Sequence, residues 1–172
     1  MERERRIAVL IAVCVVLLGV RLLTGDYAEQ VQAPPAGPAF AVYFASAARV
    51  GLEPEIHFGE PSLQELIAYL EAGPSLPGLL PVLPEGTRVL GVRQAGSVVH
   101  VNFSRELVQA HPGGSAGELV TIYGIVNTLA GAPGVERVQI WVEGALVETV
   151  AGHVSTLEPL APDYTLVGAS LT

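Results

Sequence analysis

The apolar run at residues 7–20 constrains the structure of this chain more than any other feature. Three arginines precede it, at positions 3, 5 and 6. With the two leucines after Arg21 the run reaches about 17 residues, the shortest length that spans a bilayer, provided that the Arg21 guanidinium extends to the outer interface. Positive charge before such a run keeps the N-terminus cytoplasmic. We therefore predict a cytoplasmic basic N-terminus over residues 1–6 and a single-pass transmembrane signal anchor over residues 7–23, with an extracytoplasmic domain after it.

A cleaved signal peptide and a lipoprotein anchor are the alternatives for this leader. Signal cleavage needs small residues ahead of the cut, and the RLLT sequence at 21–24 does not supply them. Lipidation would have to use Cys14, which lies in the middle of the apolar run. Cys14 is also the only cysteine, so the domain can form neither a disulfide nor a cysteine-ligated metal site. The uncleaved anchor is therefore the preferred interpretation.

The segment after the anchor changes abruptly in composition and charge. Residues 24–38 contain three prolines among Gln, Ala and Gly, which predicts an extended, Pro-rich stalk. From Asp26 onward the chain has five arginines and fifteen acidic residues. This balance repels phosphate backbones and anionic headgroups, so we expect no binding of nucleic acid. The remaining length suits one domain with a single core.

The first half of that domain predicts two strands and one well-defined helix. Residues 39–45 form an apolar, aromatic-rich run typical of a buried strand, and residues 56–58 predict a short partner strand. Ser62 and Glu65 form a capping-box pattern at the start of a helix that ends at Gly73.

The second half predicts two hairpins separated by helices. Its predicted elements are a hairpin of residues 88–93 and 97–103, a short helix from Ser104 to Gln109, a longer helix from a second capping box at Ser115 and Glu118, and a C-terminal hairpin of residues 135–142 and 146–150. The resulting order is β-α-ββ-α-ββ. We therefore predict an α+β fold in which one sheet is covered by two helices, a two-layer α/β sandwich.

Seven short segments occur in a fixed order that is more specific than any segment alone. They are VYF at 42–44, LEAGP at 70–74, PEGT at 84–87, VNFS at 101–104, IVNTL at 125–129, PGV at 133–135 and VQIWVEG at 138–144. In this order they resemble the GerMN domain, the sporulation and spore germination module of spore-forming bacteria. The resemblance covers residues 39–152 and leaves residues 153–172 as a C-terminal tail.

The resemblance implies an α/β fold akin to the ring-building modules of secretion and sporulation complexes. It also implies a role in scaffolding or partner binding outside the membrane, and it does not imply catalysis. The sporulation protein that gives the family its name has two such domains, whereas this chain has room for one. Asn102 stands where the family motif often has Asp.

Candidate catalytic and metal-binding residues are scattered along the sequence. Hydrolysis by paired carboxylates could use Glu53 with Glu55 or Glu143 with Glu148, although acidic strand ends are usually solvated. The four histidines have no HxH or HxxxH spacing, so a metal site would depend wholly on the fold; they are His57, His100, His111 and His153. We therefore predict no catalytic residue, no metal and no cofactor.

Other polar positions have simpler structural explanations. Ser104 and Ser115 lie where helix caps are needed, and neither is in a GxSxG turn. Gly113 and Gly114 could hold an anion on backbone amides, but the chain has no lysine and loop geometry explains them as well. We assign no role to Asn127 and Thr128, which could cap their helix or face outward.

Trp141, the only tryptophan, is the single residue that we predict as a partner contact. On an alternating strand it should point away from Ile140 and Val142, and exposed aromatic residues are frequent anchors of protein interfaces. Burial under a neighbouring helix is the alternative, and it is the more common environment of such a residue.

The predicted function is protein–protein assembly or scaffolding in the cell envelope, with a link to sporulation or germination. The predicted partners are the membrane, through the N-terminal helix, and either another envelope protein or a second copy of the chain. The alternatives are an envelope enzyme acting on peptidoglycan, which would need converging acids or histidines in a cleft, and a small-ligand sensor, which would need an apolar pocket.

Overall fold

The computed structural model describes residues 37–168. The predicted transmembrane anchor at 7–23 and nearly all of the predicted stalk lie outside the described residues. Within residues 37–168, no helix is long and apolar enough to cross a membrane.

The described chain forms short strands around three α-helices. In chain order the elements are β1 (Ala39–Ser46), β2 (Leu52–Phe58), α1 (Leu63–Ala72), β3 (Leu79–Leu80), β4 (Val89–Ala95), β5 (Val98–Phe103), α2 (Glu106–Gln109), α3 (Ser115–Leu129) and β6 (Arg137–Val142), followed by a 3-10 turn (Tyr164–Leu166).

These strands form two three-stranded sheets, which we call sheet A (β2-β1-β3) and sheet B (β4-β5-β6). The predicted α+β class is confirmed, but the prediction of one sheet is wrong. The strand β3 pairs only with Ala45 and Ser46 of β1. Proline has no backbone N–H, and the prolines at positions 77, 81 and 84 restrict the pairing of this segment.

The predicted C-terminal hairpin is also wrong. The strand β6 pairs in parallel with β5, from Val98 opposite Arg137 to Phe103 opposite Val142. Parallel neighbours need a long crossover connection, and α2 and α3 supply it. After β6 the chain makes a single bridge from Val142 to Ala145 and forms no strand over residues 146–150.

The helix α1 forms as its local sequence predicts. The Ser62 side chain accepts a hydrogen bond from the Glu65 backbone N–H, and the Glu65 carboxylate accepts one from the Ser62 N–H. Leu66, Ile67 and Leu70 are buried on one face, and Gly73 ends the helix with φ of 77°. This conformation favours glycine.

The helix α3 lacks the second capping box. Gly114 occupies the N-cap position without a side-chain cap, and the Glu118 side chain is fully buried. Its carboxylate instead accepts hydrogen bonds from four backbone N–H groups of residues 150–154. The predicted Ser104 cap is likewise absent, because the Ser104 hydroxyl accepts from the Arg88 N–H.

The core lies between the two sheets and around α3. Helix α3 contacts β1, β6 and α1, and it is buried on nearly all sides. Its core residues Ile122, Ile125 and Leu129 belong to one cluster with Phe44 of sheet A and Phe103 of sheet B. Burial of this apolar surface is the main favourable contribution to folding.

The segment after β6 packs against this core. Leu160 forms an antiparallel bridge with Val138, and Thr156 and Leu166 are buried. The buried Asn127 side chain makes two hydrogen bonds with the backbone of Asp163, donating from Nδ2 to the carbonyl and accepting at Oδ1 from the N–H, each 2.9 Å long. Residues 153–168 therefore contribute to the packed structure.

Candidate functional site

The outer face of sheet B carries a surface depression lined by side chains of all three strands. Side chains alternate across a sheet, so Val99 and Val101 of β5 enter the core while His100 and Asn102 face outward. The depression has a volume of about 370 Å³. We call it the Trp141 groove; its lining residues are Gly91, Val92, Arg93, His100, Asn102, Trp141 and Gly144.

Trp141 and His100 form a pair on the wall of the groove. The Trp141 indole Nε1 donates to His100 Nδ1 over 3.2 Å, and the two rings are 6.2 Å apart at an angle of 42°. Burial lowers the pKa of His100, and the nearby positive charge of Arg93 lowers it further. The imidazole is therefore neutral at neutral pH, with its proton on Nε2 because Nδ1 is the acceptor.

The side chain of Asn102, which lines the groove, joins β5 to the turn after β6. Its Oδ1 accepts a 2.9 Å hydrogen bond from the Gly144 N–H, which leaves its amide NH₂ group directed to other partners. Gly144 has φ of 77°, and Glu143 before it has φ of 51°. The glycine thus allows the turn that brings its N–H to the sheet face.

One half of the same face is covered. Gln139, on the same face of β6 as Trp141, is only 4% exposed, and its Nε2 donates over 2.7 Å to the Thr156 carbonyl. The segment after β6 therefore closes one end of the outer face and leaves the end around Trp141 open.

The paired carboxylates have structural contacts of their own. Glu53 pairs with Arg49, whereas the Glu55 oxygens accept from the N–H and hydroxyl of Ser75 and the N–H of Leu76. Burial alone would raise the pKa of Glu55, but these hydrogen bonds outweigh burial and lower it. In the other pair, Glu143 binds the N–H and guanidinium of Arg105, and Glu148 is exposed.

The histidines do not converge. His57 lies on β2 in a cluster of three rings, with centroid distances of 4.1 Å to Tyr69 and 5.4 Å to Phe40. Its Nε2 is 3.0 Å from Glu55 Oε1, although the angle is too poor for a hydrogen bond. His100 lies on sheet B, and His153 contributes its backbone N–H to Glu118. Within residues 37–168, no group of three or more His, Cys, Asp and Glu side chains could hold a metal ion.

The loop before α3 is stabilised by His111. The Gly113 N–H, one of the donors that could have served an anion, donates to His111 Nδ1 over 2.9 Å. His111 Nε2 lies 3.1 Å from Thr121 Oγ1 on α3. Burial lowers the pKa of His111 and outweighs the neighbouring Glu118 carboxylate, so the ring is neutral while it makes these contacts. Gly113 and Gly114 both have φ of 85°.

The polar residues of α3 connect it to distant parts of the chain. Thr128, fully buried, accepts a 2.9 Å hydrogen bond from the Tyr43 N–H of β1. Asn127 binds Asp163, and Glu118 binds residues 150–154, as described above. Sequence reasoning missed all three roles, and it also missed Arg93, His100 and Asn102 as neighbours of Trp141.

The comparison with protein families identifies the domain. The matching family model is Germane, described as sporulation and spore germination, and it covers residues 41–148. The chain belongs to the Germane family. The predicted resemblance to the GerMN domain is thereby confirmed. No curated protein matches the sequence.

Solved structures share the Germane fold. A crystal structure of a candidate lipoprotein from Clostridium perfringens is 25% identical, with a TM-score of 0.53, and the match covers 77% of this chain and 93% of that protein. The tandem GerMN domains of the sporulation protein GerM from Bacillus subtilis are 17% identical, with a TM-score of 0.54 over 78% of this chain and 50% of theirs. The first GerMN domain of GerM alone gives 17% identity, a TM-score of 0.55 and coverage of 72% and 97%.

Proposed function

We propose that this Germane protein is a single-pass membrane protein of the cell envelope whose extracytoplasmic domain binds another protein during sporulation or germination. The observation that carries the proposal is the open Trp141 groove on a domain of this family. The apolar run at residues 7–23 and its preceding arginines support the anchor. The candidate lipoprotein with the same fold is consistent with a domain held at a membrane surface.

Trp141 is suited to be the main contact with the partner. The ring is half-buried and its orientation is held by the hydrogen bond to His100, so little conformational entropy is lost when a partner packs against it. Tryptophan is also enriched among residues that dominate binding energy. Scaffolding therefore needs no cofactor, only complementary contact at this groove.

Capture experiments with the full-length chain test the binding proposal. The tagged protein is extracted in mild detergent from a sporulating culture, and co-purifying proteins are compared for the wild type, Trp141→Ala and Phe58→Ala. Phe58 is an aromatic residue of sheet A that is 46% exposed and serves as the matched control. We expect one envelope protein, or a second copy of the chain, to be lost with Trp141→Ala and retained with Phe58→Ala. Equal recovery with all three chains contradicts the proposal.

Topology is tested separately. We expect the chain to remain with membranes after an alkaline carbonate wash, and the domain to be digested by protease added to spheroplasts. A chain that is released by carbonate, or protected in spheroplasts but digested after lysis, contradicts the proposed anchor and orientation.

A further inference from the structure

We propose that the Trp141 groove binds an extended peptide segment that bears a carboxylate, pairs with the free edge of β4 and places its acidic side chain beside Arg93. This inference rests on the proposed function, because it names the chemistry of the partner. It depends on two features of sheet B, the donors that line the groove and the unpaired edge next to them.

The polar side chains that line the groove offer a ligand only hydrogen-bond donors. The guanidinium of Arg93 can only donate, and among residues 37–168 no acidic group lies within salt-bridge distance of it. His100 offers Nε2–H because Nδ1 is occupied by Trp141, and Asn102 offers its NH₂ because Oδ1 is occupied by Gly144. A ligand therefore binds these side chains through acceptors, and the strong acceptor that an unmodified peptide can place beside an arginine is a carboxylate.

Charge makes the groove different from the surface around it. Residues 37–168 contain five arginines and thirteen acidic residues, so most of this domain repels an acidic partner. Two of the arginines, Arg49 and Arg105, are paired with glutamates. The lining of the groove contains Arg93 and no acidic residue. An acidic segment is therefore attracted to this groove and repelled by other parts of the surface.

The edge of β4 next to the groove is open. This strand ends sheet B, and its pairing with β5 begins at Ala95 opposite Val98 after a two-residue turn. Alternate pairs in such a hairpin exchange hydrogen bonds, so the N–H and C=O groups of Val92 and Gln94 point away from β5. Among the described residues, these groups have no hydrogen bond outside the strand pairing.

An extended peptide can use this edge as an additional partner strand. Adding a strand to an open sheet edge gives affinity through main-chain hydrogen bonds, and pockets on the sheet face select alternate side chains. The opposite edge, β6, is bridged by Leu160. At the start of β4 the Val89 N–H is bound by the Glu71 carboxylate, so the open stretch begins after Val89. A strand added there lies directly beside Gly91 and Arg93, which line the groove.

A neutral glycan is the other ligand that an indole ring could bind by stacking. A sugar presents donors and acceptors together and makes no use of a strand edge. The donor side chains, the open β4 edge and an Arg93 that has no acidic partner within residues 37–168 therefore favour an acidic peptide over a glycan.

Trp141 provides the readout, because it is the only tryptophan of the chain and lies in the groove. The full-length protein in detergent is titrated with a seven-residue peptide of alternating valine and glutamate with blocked ends. A matched peptide has glutamine in place of glutamate. We expect a saturable change in Trp141 fluorescence and a dissociation constant about tenfold lower for the glutamate peptide, the difference expected when one charge-assisted hydrogen bond is lost.

Two arginine variants identify the residue that recognises the carboxylate. Arg93→Gln should bind both peptides equally and weakly, whereas Arg137→Gln, an exposed arginine outside the groove, should keep the wild-type preference. Far-ultraviolet circular dichroism checks that both variants fold. Equal affinity of the wild type for the two peptides, or the same loss in both variants, overturns the proposal.

Two N-methylated glutamate peptides test the pairing with β4. N-methylation of alternate residues removes the hydrogen-bond donors from one edge of the peptide, and the two versions block opposite edges. We expect one version to lose binding and the other to retain it. Retention by both versions refutes strand addition, and a response to chitotetraose without a response to the glutamate peptide refutes the acidic peptide. If the protein shows no preference for the glutamate peptide but the capture of a partner still depends on Trp141, this inference is refuted and the proposed function still stands.

Discussion

Replacing Glu118 by glutamine should lower the free energy of unfolding by about 3 kcal/mol. The carboxylate is fully buried; Oε1 accepts from the N–H groups of Val150 and Ala151 at 2.8 Å and 2.6 Å, and Oε2 from those of His153 and Val154 at 2.7 Å and 3.2 Å. A glutamine amide has one oxygen, and its NH₂ group cannot accept. Two backbone donors then lose their partner in a buried site, at about 1–3 kcal/mol each.

Urea unfolding of the full-length chain in detergent, followed by Trp141 fluorescence, measures this loss. With a slope of about 2 kcal/mol/M, the midpoint should fall by about 1.5 M. The matched control is Glu136→Gln, because Glu136 is exposed and such surface changes usually stay within about 0.5 kcal/mol. If the two variants unfold at the same urea concentration, the four hydrogen bonds do not hold the C-terminal segment as we have argued.

Three further predictions follow from local contacts. Gly124→Ala should lower the unfolding free energy by about 1–3 kcal/mol, because its Cβ would lie 2.7 Å from Val82 Cγ1. In a double-mutant cycle, adding Val82→Ala should recover part of that loss, whereas simple addition of the two single-mutant losses would contradict the contact. Ser62→Ala should lower it by about 1 kcal/mol through loss of the helix cap, and Ser62→Asn should retain the wild-type urea midpoint. The pKa values of His100 and His111 are lowered in the folded state, so as the pH decreases below their ordinary value of 6.5 the unfolded chain takes up protons first and the folded state loses stability. The urea midpoint should therefore be lower at pH of about 5.5 than at about 7.5. A chain with both His100→Gln and His111→Gln should show a smaller difference between the two pH values.

Elements whose signals are local were predicted well. The helix α1 depends on the capping box of Ser62 and Glu65 and on an apolar stripe, all within ten residues of one another, and the structure shows both. The β4–β5 hairpin likewise follows from its short turn. Such contacts close short loops, so neighbouring residues suffice to determine them.

Elements that depend on distant partners were not predicted. The turn at Glu143 and Gly144 is typical of a hairpin, yet β6 pairs in parallel with β5 because α3 carries the chain back across the sheet. The SAGE sequence from Ser115 to Glu118 fits a capping box, but the carboxylate binds residues more than thirty positions later. A local sequence pattern cannot show which of these two sets of backbone N–H groups the Glu118 carboxylate will bind.

The candidate site was also predictable only in its local features. Alternation along the strand predicted that Trp141 points away from Ile140 and Val142. In the structure the same alternation puts His100 and Asn102 on one face of β5. That these residues share one groove depends on the parallel register, in which Asn102 lies opposite Trp141. The sequence contained the side-chain alternation of each strand but not the order of the strands in the sheet.

The buried polar groups of α3 and the open groove are connected through the C-terminal segment. Glu118 and Asn127 bind the backbone of that segment at residues 150–154 and at Asp163, and between these points the Thr156 carbonyl covers Gln139. A buried carboxylate is costly unless its hydrogen bonds are complete, so its position here fixes the path of the segment closely. Because the segment covers Gln139 and does not cover Trp141, which is on the same face of β6, Trp141 remains accessible. Polar residues in a core helix thus determine, from the opposite side of the sheet, which part of the outer face a partner can reach.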